Sequence, residues 1–350
     1  MPELTVETPN KAQDDEITSY RNGLLTIGFI TLLFASNSPA LHSAFELTSN
    51  TPPVLLINAV VSTVGLIGVI LASPFLGKIV KDPSATKVAD DSTTQSSRNI
   101  VKDALGPSAM AGAELGMWKM LGTTANIYGL SQTSSDHGAF LIQLTTLIVP
   151  VAQGIMGVPI PSRIWGAIAL ALGGVFMFTQ DPSQVDCASV QGDALCAVAA
   201  VFYATYDLRL FKWGKIVPTD ELITTKMVTQ SLLSMGILFV LGREDTLAFL
   251  SEVSLRDMQL IGAVALWSGL AVNCVAPYLQ VSGQQAVGPA RAQILYASQP
   301  LWAAVMSYFF LGEQVGVEGL IGGTAFLTAM FLAATAETPD PNCGKVECEV

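Results

Sequence analysis

The sequence predicts an all-α membrane protein whose ten transmembrane helices form two inverted five-helix repeats. Three observations carry that prediction. Hydrophobic residues make up 51% of the chain and charged ones only 13%, whereas soluble domains carry about 25% charged residues. The apolar residues come in runs of roughly twenty, long enough to cross the hydrocarbon core as helices, and not in the short periodic clusters of a soluble core. The second half of the chain also repeats the spacing of marked residues in the first.

The first five runs are Gly23 to Phe45, Val54 to Leu76, Pro107 to Leu130, Gly138 to Val158 and Ile164 to Thr179. After the polar stretch Gln180 to Asp186 come Ala188 to Phe211, Leu222 to Leu241, Leu260 to Val281, Gly288 to Leu311 and Val315 to Thr335. Lipid offers backbone N–H and C=O groups no partner, so such segments must be helices unless they close a barrel. None alternates with the period of a barrel strand. The chain therefore divides into an acidic tail (1–22), a first repeat (23–180), a second repeat (187–336) and a closing tail (337–350). Within the first repeat, the loop 77–106 has a Ser/Thr-rich centre at Ser92, Thr93, Thr94, Ser96 and Ser97, a composition that reads as disorder. A passive linker is the plain reading of that loop, and a phosphorylation switch is the alternative.

Net charge is −11, with much of the acid in the tails: Glu3, Glu7, Asp14, Asp15 and Glu16 at one end, Glu337, Asp340, Glu347 and Glu349 at the other. These read as solvated ends. No basic face gathers anywhere, which argues against a nucleic-acid partner. The N-terminus is too acidic for a transit peptide and the first run too long for a signal-peptide core, so no cleavable signal is expected. With the N-terminus in the cytosol, the inner segments hold twelve Lys and Arg and the outer loops two, Arg243 and Arg256. That bias predicts both termini in the cytosol. Of five cysteines, Cys343 and Cys348 could form half of a metal site, but a lone pair is weak evidence and ordinary thiols are expected. No cofactor is implied.

A shift of 150 residues aligns Tyr128 with Tyr278, Gly138 with Gly288, Gln143 with Gln293, Pro150 with Pro300 and Met156 with Met306. One residue off that register, Trp118 meets Trp267, and Gly173 with Gly174 meets Gly322 with Gly323. Five spans per copy send the second into the membrane from the opposite side, so the repeats are inverted, as in many secondary transporters.

Ten spans, two such repeats and the short turn Leu311-Gly312-Glu313 between the last two spans resemble the drug/metabolite transporter superfamily, particularly its EamA-type branch. Gly192-Asp193-Ala194-Leu195 leading to Tyr203-Ala204-Thr205-Tyr206, and Ala290 to Tyr296 leading to Pro300-Leu301, resemble what that branch carries at the starts of spans six and nine. The turn before span five, Gly157 to Pro161, departs from the pattern by lacking the acidic residue. The resemblance implies alternating-access export or exchange of a small organic solute, first an amino acid or related organic acid, with a nucleotide sugar or sugar phosphate as runner-up.

Ionisable residues inside a span are costly and mark candidates for function. Glu114 and Lys119 lie in span three, Asp207 in span six and Lys226 in span seven. Asp207 and Lys226, near the inner surface, are expected to snorkel or to pair with each other, and Arg291 to reach the inner headgroups. Lys119 lies about 17 Å from either end of its span, beyond the reach of snorkelling. It shares a polar stripe with Thr123 and Asn126, whereas Glu114, five residues away, leaves on another face. Lys119 is therefore read as facing a cavity, where it meets a substrate anion or a carboxylate of another helix; a buried structural ion pair is the alternative. The substrate-binding candidates are Asn37, Lys119, Thr123, Asn126, Tyr128, Gln143, Asn273, Tyr278, Gln293 and Tyr296. Gln143 and Gln293 each precede a proline by seven residues, which suits a pair of kinked gate helices, with a structural hydrogen bond as the competing use.

Gly112 with Gly116, and Gly319 with Gly323, have the spacing that lets helices pack closely within one monomer; a homodimer through span ten is the other use of the second pair. A membrane-embedded enzyme is the first rival class. Against it, the chain has two histidines, His42 and His137, no His-Glu-x-x-His, no Gly-x-Ser-x-Gly and no glycine-rich phosphate loop. Inverted duplication counts against a scaffold, and neither charge rings nor filter-like carbonyl segments support a channel. The expected partners are a small-molecule solute and the lipid bilayer.

Overall fold

Apolar runs this long leave backbone polar groups nowhere to bond except within the segment itself. The chain obeys that constraint. A computed structural model describes residues 9–79, 106–133, 135–157, 162–179, 189–310 and 316–334, and every regular element among them is a helix. In order these are α1 (Pro9–Ala35), α2 (Asn37–Glu46), α3 (Val54–Ile79), α4 (Pro107–Leu130), α5 (Ser135–Ile142), α6 (Thr145–Ile155), α7 (Ser162–Thr179) and α8 (Val190–Trp213). Then come α9 (Thr219–Leu241), α10 (Arg243–Glu252), α11 (Leu255–Trp267), a π-helical segment (Ser268–Val275), α12 (Ala276–Val287), α13 (Pro289–Tyr296), α14 (Gln299–Phe310) and α15 (Val317–Ala334).

Six stretches among the described residues are long and apolar enough to cross a membrane: Tyr20–Glu46, Val54–Ser73, Gly138–Ile155, Val190–Trp213, Thr219–Leu241 and Leu255–Val287. Trp165–Gly174 in α7 and Val317–Ala329 in α15 are apolar but shorter. Helix α4 is long enough, but Glu114, Lys119, Thr123, Thr124 and Asn126 dilute its apolar character.

Four of the expected spans are not simple rods, and each break has a local cause. The first divides between α1 and α2 at Ser36, because Pro39 cannot donate to the carbonyl four residues back. The eighth relaxes into the π segment just before Pro277, and Asn273 Nδ2 donates to Ser268 O at 3.0 Å inside it. The ninth breaks at Ala297 and Ser298, just before Pro300. The fourth differs from expectation, since Pro150 sits inside α6 and the break falls on Gln143 and Leu144. There the hydroxyls of Thr145 and Thr146 donate to the carbonyls of Ile142 and Gln143 at 2.6 and 2.7 Å. The backbone tightens into i to i−3 bonds at Gln143, Leu144, Thr146 and Leu147. Gly288, at φ +83°, turns the chain from α12 into α13 in a single residue, a backbone state that side chains resist.

Helix α7 runs along α15, α4 packs on α8 and α9, α3 packs on α9 and the π segment, and α1 packs on α12. Counted as expected spans, the contact of one with eight is matched by six with three, and two with eight by seven with three. Glycines permit the closest approaches. A Cβ added at Gly112 or Gly116 would come 2.4 Å from Thr225 or 2.6 Å from Thr229, so these two seat α4 on α9 as their spacing suggested. Gly319 and Gly323 both line an apolar groove beside α14, and Gly323 does not act that way: a Cβ there would find only Leu301, at 3.6 Å, among the described residues. The tight contact of α15 is instead with α7, where a Cβ added at Gly174 would come 2.7 Å from Gly322 O.

Two further departures concern the ends of elements. Helix α1 begins at Pro9, inside the stretch read as an acidic tail, with proline in the first-turn position that its fixed φ suits. The expected outer loop between spans seven and eight contains α10, and Asp257 beyond it is buried and accepts from Ser49 N at 3.3 Å. Nearly all of the loop 77–106, together with Cys187, Cys343 and Cys348, lies outside the described residues.

Candidate functional site

Six of the expected spans surround one central cavity of about 100 Å³. The first half of the chain contributes Phe34 and Asn37 at the α1–α2 break, Lys119 and Asn126 from α4, and Gln143 and Thr145 at the α5–α6 break. From the second half come Tyr203, Tyr206 and Asp207 on α8, Val272 and Gln280 around the π segment, and Gln293, Tyr296 and Gln299 about the α13–α14 break. Broken helices expose backbone and polar side chains at mid-membrane depth only where they line such a cavity. The breaks and the polar lining thus coincide.

Lys119 Nζ lies over three aromatic faces, at 4.6 Å from the ring centre of Tyr203, 5.2 Å from Tyr206 and 5.8 Å from Phe34. The face of an aromatic ring attracts a cation, but it is no substitute for an anion. Among the described residues no side-chain or backbone oxygen hydrogen-bonds this ammonium, which keeps three N–H donors for an occupant. Asp207 is the opposite case. Its Oδ1 accepts from Gln280 Nε2 at 2.9 Å and its Oδ2 accepts from Gln293 Nε2, so both carboxylate oxygens are held by amides. Asn37 Oδ1, Asn126 Oδ1 and the Tyr206 hydroxyl are buried without a hydrogen-bond partner among the described residues. Buried polar atoms left open in this way are unusual and point to a polar ligand or water.

The ten residues singled out by sequence do not all meet. Asn37, Lys119, Asn126, Gln143, Gln293 and Tyr296 line the cavity. Thr123 and Asn273 line a smaller adjoining pocket of about 20 Å³ that shares Asn37, Asn126 and Tyr203. Tyr128 is partly exposed on the outside of α4, and Tyr278 is packed into the core against Tyr206, Leu222 and Met227. The repeat equated Tyr128 with Tyr278, and neither reaches the cavity. Gln143 and Gln293 also part company: Gln143 donates to Gln299 Oε1 at 3.2 Å across the two helix breaks, whereas Gln293 holds Asp207.

Asp207 and Lys226, expected to pair or to snorkel, do neither. The carboxylate faces the cavity, while Lys226 is wholly buried, with Nζ 3.2 Å from Met227 Sδ and 5.7 Å from the Tyr206 ring centre. Glu114 forms an ion pair with Arg209, accepts a second bond from Arg209 Nη2 at 2.7 Å and accepts Trp213 Nε1 at 2.8 Å. It is fully engaged in tying α4 to α8 and, as its angular position implied, does not turn towards Lys119. The side chain of Arg291 lies outside the described set. Sequence reading missed Tyr203, Tyr206, Asp207, Gln280 and Gln299 as cavity residues. Their signal was the polar and aromatic density of Tyr203 to Asp207 and of Gln280 to Gln299.

Residues 190–335 match the EamA-like transporter family. The match lies within the second half of the chain. The EamA-like family consists of membrane transporters of the drug/metabolite type, and with six helices able to span, the chain is an integral multi-pass membrane protein. No curated protein matches significantly. Among solved structures, a crystal structure titled only as that of a protein is similar at a TM-score of 0.59 and 15% identity, over 90% of this chain and 98% of that one. That likeness concerns the fold alone. At 90% of the chain, it reaches well beyond residues 190–335.

Proposed function

We propose that this EamA-like protein is a secondary transporter that moves an amino acid or related organic acid across a membrane by alternating access. In this reading it has ten spans, in two inverted repeats, with both termini in the cytosol. The observation that carries it is the central cavity, lined from both halves by broken helices and holding an unfilled ammonium opposite an amide-held carboxylate. A site between repeats lets one rigid half rock against the other around the same solute. The matched contacts of spans one with eight and six with three support the inverted relation.

Size favours a small solute. About 100 Å³ falls below the roughly 300 Å³ at the low end of sites for drug-sized ligands, which favours a few heavy atoms over a sugar phosphate or nucleotide sugar. The test is Lys119→Met in proteoliposomes with a panel of amino and organic acids. Loss of flux with an unchanged thermal midpoint supports the reading. Wild-type flux would refute it, and loss of yield and midpoint before flux would return Lys119 to a structural role.

A further inference from the structure

We propose that the small pocket adjoining the central cavity is a binding site for a singly charged metal ion, Na⁺, held by neutral amide oxygens from both halves of the chain. The inference comes from acceptors that the protein itself leaves unused. Asn37 Oδ1, Asn126 Oδ1, Gln230 Oε1 and Asn273 Oδ1 are buried with no hydrogen-bond partner among the described residues, and all four residues line this one pocket of about 20 Å³. Asn126, Gln230 and Asn273 are no more than 5% exposed. The amide of Asn273 is fixed in orientation, because its Nδ2 donates to Ser268 O at 3.0 Å and Oδ1 is the end left over. Thr123, in the same lining, uses its hydroxyl hydrogen on Met120 O at 3.1 Å, so towards the pocket it too can only accept.

Counting donors separates the occupants. The pocket has room for about one water, whose two hydrogens would leave at least two of the four amide oxygens bare. A hard cation has no such limit and takes several oxygens at once. The lining holds no carboxylate, and Lys119 and Lys226 lie one helical turn in sequence from Thr123 and Gln230, so a divalent ion would leave too much charge unmatched. Among the described residues no three His, Cys, Asp or Glu gather to hold a transition metal. A weakly held, singly charged ion fits what remains. The fold suits it as well. Asn37 begins α2 at the α1–α2 break and Asn273 lies in the π segment, and interrupted helices of this kind supply ion ligands in inverted-repeat transporters. Asn37 and Asn126 also line the central cavity, so an ion here would brace groups that face the solute.

The experiment uses the purified full chain in detergent, with NaCl exchanged for choline chloride at constant ionic strength. The thermal midpoint should rise saturably with Na⁺, by roughly 2 °C at ten times the half-saturating concentration, and choline should give no rise. Gln230→Met keeps the side-chain length and removes an oxygen that does not line the central cavity; it should raise the half-saturating concentration about tenfold or more. Because that variant can fold poorly, the wild-type protein supplies a second readout: radiolabelled Na⁺ bound in a scintillation proximity assay should be displaced by unlabelled Na⁺ and not by choline. A wild-type midpoint blind to Na⁺, or label that Na⁺ does not displace, would overturn the assignment and leave water as the occupant. An unchanged Na⁺ response in Gln230→Met would overturn it too, by placing the ion elsewhere. Neither readout uses a transported solute, so each of these failures leaves the transport reading standing.

Discussion

Helices α4 and α8 meet at two charged clusters, and the pair differs in satisfaction more than in composition. Towards one end, Glu114 takes Arg209 in a two-point contact and the indole N–H of Trp213 as well, so every charge has an opposite and the carboxylate is full. Further along the same interface, Lys119 lies over ring faces with no hydrogen-bonding oxygen among the described residues, while Asp207 is held by neutral amides from two other helices. A closed ion pair fastens helices. An open cation facing a cavity awaits something that is not part of the protein. Depth in the membrane and residue type would have ranked Glu114 and Lys119 together; the bonds each makes separate them.

Breaking the closed cluster should have the largest effect on stability. Glu114→Gln removes the anion from Arg209 and should cost about 1–3 kcal/mol, the range for losing a charged hydrogen bond at a partly buried site. A lower thermal midpoint with near-normal flux per folded molecule is the expected result. Loss of flux at an unchanged midpoint would place Glu114 in the transport path instead.

The open cluster should respond the other way round. Gln293→Leu strips one amide from Asp207 and should cut flux by about tenfold, on the order of one charged hydrogen bond, with a smaller change in midpoint. Gln143→Leu loses only the amide bond to Gln299 and should cut flux by no more than a few-fold, since neutral pairs contribute about 1 kcal/mol. Measuring both variants side by side sharpens the comparison: equal losses would restore the two glutamines as symmetric gates. The smallest effect is expected at Tyr128→Phe. This side chain lies outside the cavity, and a loss above about twofold would move the site outward along α4.

Much of this architecture was legible from composition and spacing. The helical class, the apolar stretches and the close approach at Gly112 and Gly116 follow from hydropathy and small-residue spacing, which lipid makes decisive. Lys119 was legible as well, because its depth ruled out snorkelling. What stayed hidden depends on rotation and on partners distant in sequence. Asp207 looked close enough to the surface to pair with Lys226, and only the meeting of α8 with α12 and α13 brings it Gln280 and Gln293. Tyr128 and Tyr278 shared a register but neither shares the cavity, because repeat spacing fixes position along a helix and not which face turns inward. Gln299 was invisible for a related reason: the matching frame paired Gln143 with Gln293, while the helix breaks at 143–144 and 297–298 bring Gln143 to Gln299.

Whether a solute occupies the space beside Lys119 can be read by chemical protection. Asn126→Cys places a thiol in the lining and Tyr128→Cys places one two residues away on the outside of the same helix, each measured against the background of the native cysteines. With saturating transported solute, a small thiol reagent should label position 126 several-fold more slowly and position 128 at an unchanged rate. Undiminished labelling at 126, or equal slowing at both, would contradict the claim that the solute binds in the cavity between the two halves.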